Sequence, residues 1–185
     1  MKSNIALDST ILIVDDDLDL LESITYEIKR NFSTVFTADR AQKAIEIIKN
    51  NSIDCVITDY RMPEMNGLDF IDFLQKNHPS LPVILVTGNG SDREVIAAIE
   101  KGLFEYLDKP FIPSILVNRV RNALLLPRLE KLILNLVKIE FPDLQINKFS
   151  HYSYAERLKA LSALEGILQT KWLAKQGKKS GHSHA

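Results

Sequence analysis

The sequence has little that would tie it to an oxidising compartment, a membrane or a repeat architecture. Its 185 residues hold one cysteine, Cys55, so no internal disulfide can form. Cys55 lies in an apolar run and reads as a small buried hydrophobe. No stretch of about 18 apolar residues occurs, so no membrane insertion is expected. The opening MKSNIALDST lacks the apolar core and cleavage pattern of a secretory signal, and a cytoplasmic protein is expected. There is no internal repeat and no low-complexity tract. Gly88-Asn89-Gly90 lacks the glycine spacing and the Lys-Ser/Thr pair of a phosphate-binding loop. His182 and His184 are too few to make a metal site.

What is present has the balance of a globular chain, with 45% hydrophobic and 25% charged residues. The net charge of −1 conceals an asymmetry. Residues 1–126 carry 13 basic and 19 acidic side chains, and residues 127–185 carry 10 and 5. Two oppositely charged segments imply two jobs, or one segment resting on the other. The division expected is a domain over 1–126, a helical extension over 127–176 and a flexible tail over 177–185.

Five short apolar runs, near 11–14, 34–37, 53–58, 82–86 and 103–107, are rich in β-branched or aromatic residues and read as strands. Helical spacing of apolar residues fills 18–30, 39–49, 67–76, 92–100 and 114–126. Alternating β and α elements give parallel strands with right-handed crossovers and helices on both faces. The most apolar runs, the first, third and fourth, belong at the centre, and the mixed ones suit edges. The expected architecture is α/β: a doubly wound five-stranded parallel sheet of flavodoxin-like order 2-1-3-4-5, followed by a C-terminal α-helical hairpin.

Ligands in such sheets sit at the carboxyl ends of the strands. Those ends carry Asp15-Asp16, Thr58-Asp59, Thr87-Gly88 and Asp108-Lys109-Pro110. Three converging carboxylates repel one another and raise one another's pKa, a conflict that a hard divalent cation relieves. Mg²⁺ takes oxygen ligands and keeps waters, which leaves room for a phosphate. An ammonium and a hydroxyl opposite the acids suit an aspartate that attacks a phosphoryl group. Asp17, just before a helix, reads as a cap, and Gly67 reads as a turn residue.

The segments ILIVDDD, VITDYRMPEMNGLDF, ILVTG and YLDKPF, in this order, make residues 9–126 resemble the receiver domain of bacterial two-component response regulators. The resemblance implies that Asp59 is the phosphoacceptor, charged by a sensor histidine kinase or phosphotransfer protein. Asp16 and Asp59 are then direct Mg²⁺ ligands, Asp15 holds metal-bound water, and the backbone carbonyl of Arg61 is a further ligand. Lys109 is similar to the lysine that pairs with the acceptor, and Thr87 and Tyr106 resemble the switch pair. Lys109-Pro110 falls where the family has a cis peptide. The bulk of Leu103-Phe104 departs from the family's small residues and is expected to affect partner docking. A dedicated enzyme is not implied, since a receiver assists only its own phosphorylation and dephosphorylation.

Beyond Leu126, Pro127 can open a new helix, in which Leu129, Leu132, Ile133, Leu136 and Val137 form one stripe. A second helix over 154–175 carries Leu158, Leu161, Leu164, Leu168 and Trp172 near one face. Such a hairpin buries little alone, so its stripes should pack on the receiver, on a second copy or on a target, and a homodimer or a docked partner is expected. The excess positive charge permits nucleic-acid contact, which would make the chain a transcription or RNA regulator. The basic residues are scattered, and a solvated helix face is the commoner meaning. A phosphorelay or sink protein whose tail only dimerises is a further alternative. His151 lacks the flanking acid and Arg of a kinase phosphorylation box.

Overall fold

Strand chemistry sets the centre of the molecule. In a computed structural model, which describes residues 7–88, 103–140 and 154–180, five strands form one parallel sheet. They are β1 (Leu7–Val14), β2 (Phe32–Ala38), β3 (Cys55–Asp59), β4 (Val83–Thr87) and β5 (Glu105–Asp108), in the order β2-β1-β3-β4-β5. The three expected central strands are central, and the two mixed ones are the edges. The helices are α1 (Leu18–Lys29), α2 (Ala41–Asn50), α3 (Gly67–Asn77), α4 (Pro113–Glu140) and α5 (Tyr154–Ser180). The expected helix over 92–100 and His151, His182 and His184 lie outside the described residues.

Alternate residues of each strand point to opposite faces. Ile11, Ile13, Cys55, Ile57, Ile84 and Val86 fill one layer, together with Ile24 and Ile28 of α1 and Leu116 and Val120 of α4. Leu12, Val14, Val56, Val83 and Leu85 fill the other, against Ala44 and Ile48 of α2 and Phe70, Ile71 and Leu74 of α3. Full burial of each such aliphatic side chain contributes roughly 1.5–3 kcal/mol. Registers Ile13↔Ile57 and Ile57↔Ile84 place the carboxyl ends of the three central strands side by side.

Helix ends follow local chemistry. Asp17 caps α1, its Oδ1 accepting from the amides of Asp19 and Leu20, both at 3.1 Å. Asn66 caps α3 by accepting from the Asp69 amide at 3.0 Å. The helix ends at His78, ahead of Pro79.

Three expectations need correction. Pro127 does not open a helix: α4 runs unbroken from Pro113 to Glu140 with Pro127 inside it. Proline removes one intrahelical hydrogen bond, but contacts on both sides hold the helix in line. Ala123 and Leu124 are buried before it, Glu130 is buried after it, and Arg128 donates to Ser9 Oγ at 2.7 Å. The apolar residues past Pro127 are not one stripe: Val137 is buried, whereas Leu129, Leu132 and Leu136 are exposed. Finally, α5 continues to Ser180, past the point where a tail was expected.

Leu103 and Phe104 direct their bulk into the core. Leu103 is buried in the layer shared with α2 and α3, and Phe104 packs against the opposite layer. Their bulk is absorbed by the core around the start of β5, where the Phe104 amide donates to the Val83 carbonyl at 3.0 Å.

Candidate functional site

Asp15 directly follows β1 and Asp59 is the last residue of β3, and the two share the strand parity that faces α1 and α4. Both are buried, while Asp16 is exposed. Carboxylate oxygens of Asp15, Asp16 and Asp59 lie within 4.8 Å of one another. Lys109, just beyond β5, reaches into this group. Its Nζ donates to Asp15 Oδ2 at 2.8 Å and to Asp59 Oδ1 at 2.5 Å. The backbone amide of Arg61 donates to Asp59 Oδ2 at 2.6 Å, so both Asp59 oxygens are held. The Asp17 amide donates to Asp15 Oδ1 at 3.0 Å.

The loop from Tyr60 to Asn66 aims the Arg61 amide, and it is closed by a tight contact. The Gly67 amide donates to the Tyr60 carbonyl at 2.8 Å. A Cβ on Gly67 would run into the Asp59 carbonyl and come within 2.9 Å of Tyr60 Cα. Only glycine lets the start of α3 lie against the end of β3. Glu64 completes the loop in the left-handed region, with φ of 68°.

Burial pushes the Asp15 carboxyl above its ordinary value. The Lys109 ammonium and the Asp17 amide pull it down only in part, and the charge of Asp59 pushes it further up. Burial acts on Lys109 in the lowering direction. Its hydrogen bonds to Asp15 and Asp59 outweigh this and raise its pKa, so the ammonium stays charged at neutral pH. The result is an ammonium clamped between two carboxylates, with a third carboxylate open to solvent. This donor set is all hard oxygen, the type that suits Mg²⁺.

Thr87 ends β4 and is buried, whereas Tyr106 on β5 is exposed. Tyr106 pairs in register with Leu85, two residues before Thr87, so both side chains belong to one face of the sheet. The Lys109 amide donates to the Thr87 carbonyl at 2.7 Å, and the Lys109-Pro110 peptide is cis. Gly88 borders an apolar cleft of about 390 Å³ beside Lys109, lined also by Leu20, Ile24, Phe111 and Leu116. A Cβ at Gly88 would meet nothing, so the position is open rather than sterically required.

The structure brings Asp15, Asp16, Asp59, Arg61 and Lys109 together and leaves Tyr106 turned outward. Sequence reasoning missed the Arg61 amide as a donor. It also missed an ion pair from Arg119 of α4 to Glu105 of β5, at 2.8 Å. A lone arginine on a helix carries no signal of its partner, because that partner is fixed by tertiary packing alone.

The family described as the response regulator receiver domain matches residues 11–121. The chain is 33% identical to the chemotaxis protein CheY homolog of Campylobacter jejuni over 118 residues, 62% of this chain and 91% of that one. It is 33% identical to the transcriptional regulatory protein GlrR of Escherichia coli over 114 residues, again 62% of this chain. The match spans only 26% of GlrR's length. Among solved structures, a receiver domain from Clostridium thermocellum superposes with a TM-score of 0.63, at 34% identity over 65% of this chain and 98% of that one. The beryllofluoride-activated receiver domain dimer of NtrC4 superposes with a TM-score of 0.59, at 31% identity over 62% of this chain and 95% of that one.

Proposed function

We propose, from the premise that this chain belongs to the response regulator receiver domain family, that Asp59 accepts a phosphoryl group from a phosphohistidine of a sensor histidine kinase or phosphotransfer protein. An Asp59 carboxylate oxygen attacks phosphorus, an O–P bond forms, the N–P bond of the donor breaks, and the imidazole leaves as the proton acceptor. The observation that carries this reading is the double clamp on Asp59, with the Lys109 ammonium on one oxygen and the Arg61 amide on the other. The clamp fixes the nucleophile and places positive charge where the phosphoryl oxygens gather.

Asp16, Asp59 and the Arg61 carbonyl would hold Mg²⁺, with Asp15 holding its water; bound there, the ion supplies charge neutralisation for the phosphoryl oxygens. Lys109 then exchanges one acid partner for a phosphoryl oxygen. Thr87 is the hydroxyl that follows the new charge, and Tyr106 is the ring that moves inward with it. The helices beyond residue 126 carry the output by pairing with a second copy or docking on a target. A named receiver-domain dimer among the similar structures matches only the receiver part of this chain, so it supports association of receiver domains and leaves the pairing of these helices to the apolar surface they expose.

Incubation with a small acyl phosphate donor and Mg²⁺ tests the assignment. Labelling is expected in the native chain and absent in Asp59→Asn. Equal labelling of that variant would sink it.

A further inference from the structure

The distal half of α4 is apolar on two opposite sides. One side carries Ala123, Pro127, Leu134 and Val137, with the buried Glu130 among them, and it faces the sheet and then α5. The other carries Leu125 (53% exposed), Leu129 (46%), Leu132 (60%), Leu136 (57%) and Ile139 (78%). Each of these residues lies two positions from a member of the first side, which is about 200° around a helix with 3.6 residues per turn. A helix apolar on both sides belongs in an interior, and one side of this helix has no cover among the described residues.

The spacing says what kind of cover fits. Leu125, Leu129, Leu132, Leu136 and Ile139 recur at intervals of four and three, the seam of a coiled coil. In the same register the preceding seam positions are Asn118 and Asn122, so the apolar seam begins where α4 leaves the sheet. A seam of this period is complementary to a helix with the same period, and a second copy presents one by symmetry. Leucine, not a β-branched residue, occupies both 129 and 136, the alternate seam positions that favour β-branched residues in a bare two-stranded coil. A wider bundle suits these residues better.

The groove between α4 and α5 provides the width. It encloses about 700 Å³ and is lined by Ile133, Leu136, Val137, Leu164, Leu168 and Trp172 among others. Leu136 belongs to both the seam and the groove. Only Val137 and Leu164 close its floor, and Trp172 is 51% exposed at its rim.

We infer that two copies associate through these helices, α4 and α5 of each forming a four-helix bundle in which each groove is covered by the other copy. This deepens the output reading given above and rests on it only for the role of the C-terminal helices, not for the phosphoryl chemistry. A parallel arrangement places Arg128 of one copy beside Ile133 of the other and sets no like charges together along the seam.

The test is sedimentation of the full chain from low to high micromolar concentration, with and without the phosphoryl donor, alongside emission from Trp172. This is the chain's one tryptophan, so the signal is unambiguous. A dimer is expected, with Trp172 emission moving to shorter wavelength and its quenching by acrylamide falling as the dimer forms. Leu129→Glu/Leu132→Glu, both at exposed helix positions, should weaken the dimer by more than about tenfold and leave Trp172 accessible, with helicity and Asp59 labelling retained. A native chain monomeric in both states overturns the inference, as does a dimer indifferent to the double substitution. A dimer in which Trp172 stays as quenchable as in the monomer also overturns it, since that is a bare two-stranded coil. Loss of Asp59 labelling in the native chain would sink the phosphoryl reading and leave the dimer result standing.

Discussion

Lys109 lies between two buried acids, and that position makes it structural as well as chemical. Its removal leaves Asp15 and Asp59 facing each other without a counter-charge. Lys109→Met is expected to lower unfolding free energy by roughly 1–3 kcal/mol in denaturant titration, the cost of leaving buried polar groups unpaired. Gly67 acts through its missing Cβ. Gly67→Ala forces the start of α3 away from the Asp59 carbonyl and should cost roughly 1–3 kcal/mol, the range for overpacking, with weaker Asp59 labelling because the Arg61 amide shifts with the loop. Gly88→Ala is the control, since its Cβ meets open space. Asp17 behaves as its sequence position implies, and Asp17→Ala should cost about 1 kcal/mol. Cys55 is fully buried, and desolvation, with the nearby Asp54 charge, pushes its thiol far up. A thiol-alkylating reagent should therefore modify it only at the rate of unfolding.

At the scale of elements, α4 joins two environments in one rod. Its first half completes the core against α1 and the sheet, and its second half leaves the sheet. Pro127 falls between them and removes one hydrogen bond from the helix. Pro127→Ala is expected to stabilise the chain by about 1–3 kcal/mol, read as a raised thermal midpoint. On α5, Gly166 has no neighbour that a methyl would strike. Gly166→Ala should add roughly 0.5–1 kcal/mol of helix stability, measured by far-UV circular dichroism on heating. The strand elements were legible in the sequence because period and composition are local properties. Every described strand overlaps an apolar run, and the strand order followed from which runs were most apolar. The helix boundary at Pro127 was not legible, since proline's local preference was overridden by the packing of Ala123 and Leu124 on one side and the Arg128–Ser9 bond on the other.

At the scale of the whole molecule, the helix continues past the expected division at residue 126. The unit we propose for the receiver ends near residue 131, because Arg128 and the buried Glu130 still belong to its underside. A chain ending at 131 should be more stable than one ending at 126 by about 1 kcal/mol or more, from the lost hydrogen bond and the frayed final turn. The Arg119–Glu105 pair ties the same helix to β5, the strand that bears Tyr106. The inward movement proposed for Tyr106 would therefore have a short mechanical route into α4 through its neighbour Glu105.

The sequence by itself determined the α/β alternation, the sheet order, the cap on α1 and the convergence of Asp15, Asp16, Asp59 and Lys109. These follow from periodicity and from the rule that strand ends of a parallel sheet meet at one edge, so they need no knowledge of which side chains touch. Tertiary structure alone decided that Lys109 bridges Asp15 and Asp59, that Gly67 is required by the backbone opposite it, and that Leu103 turns inward. It also divided the apolar residues beyond Pro127 into a covered side and an open one. Each of these depends on which surface an element meets. A helix that is apolar on two sides does not announce which of them its own chain will bury, until the sheet and α5 take one and leave the other open.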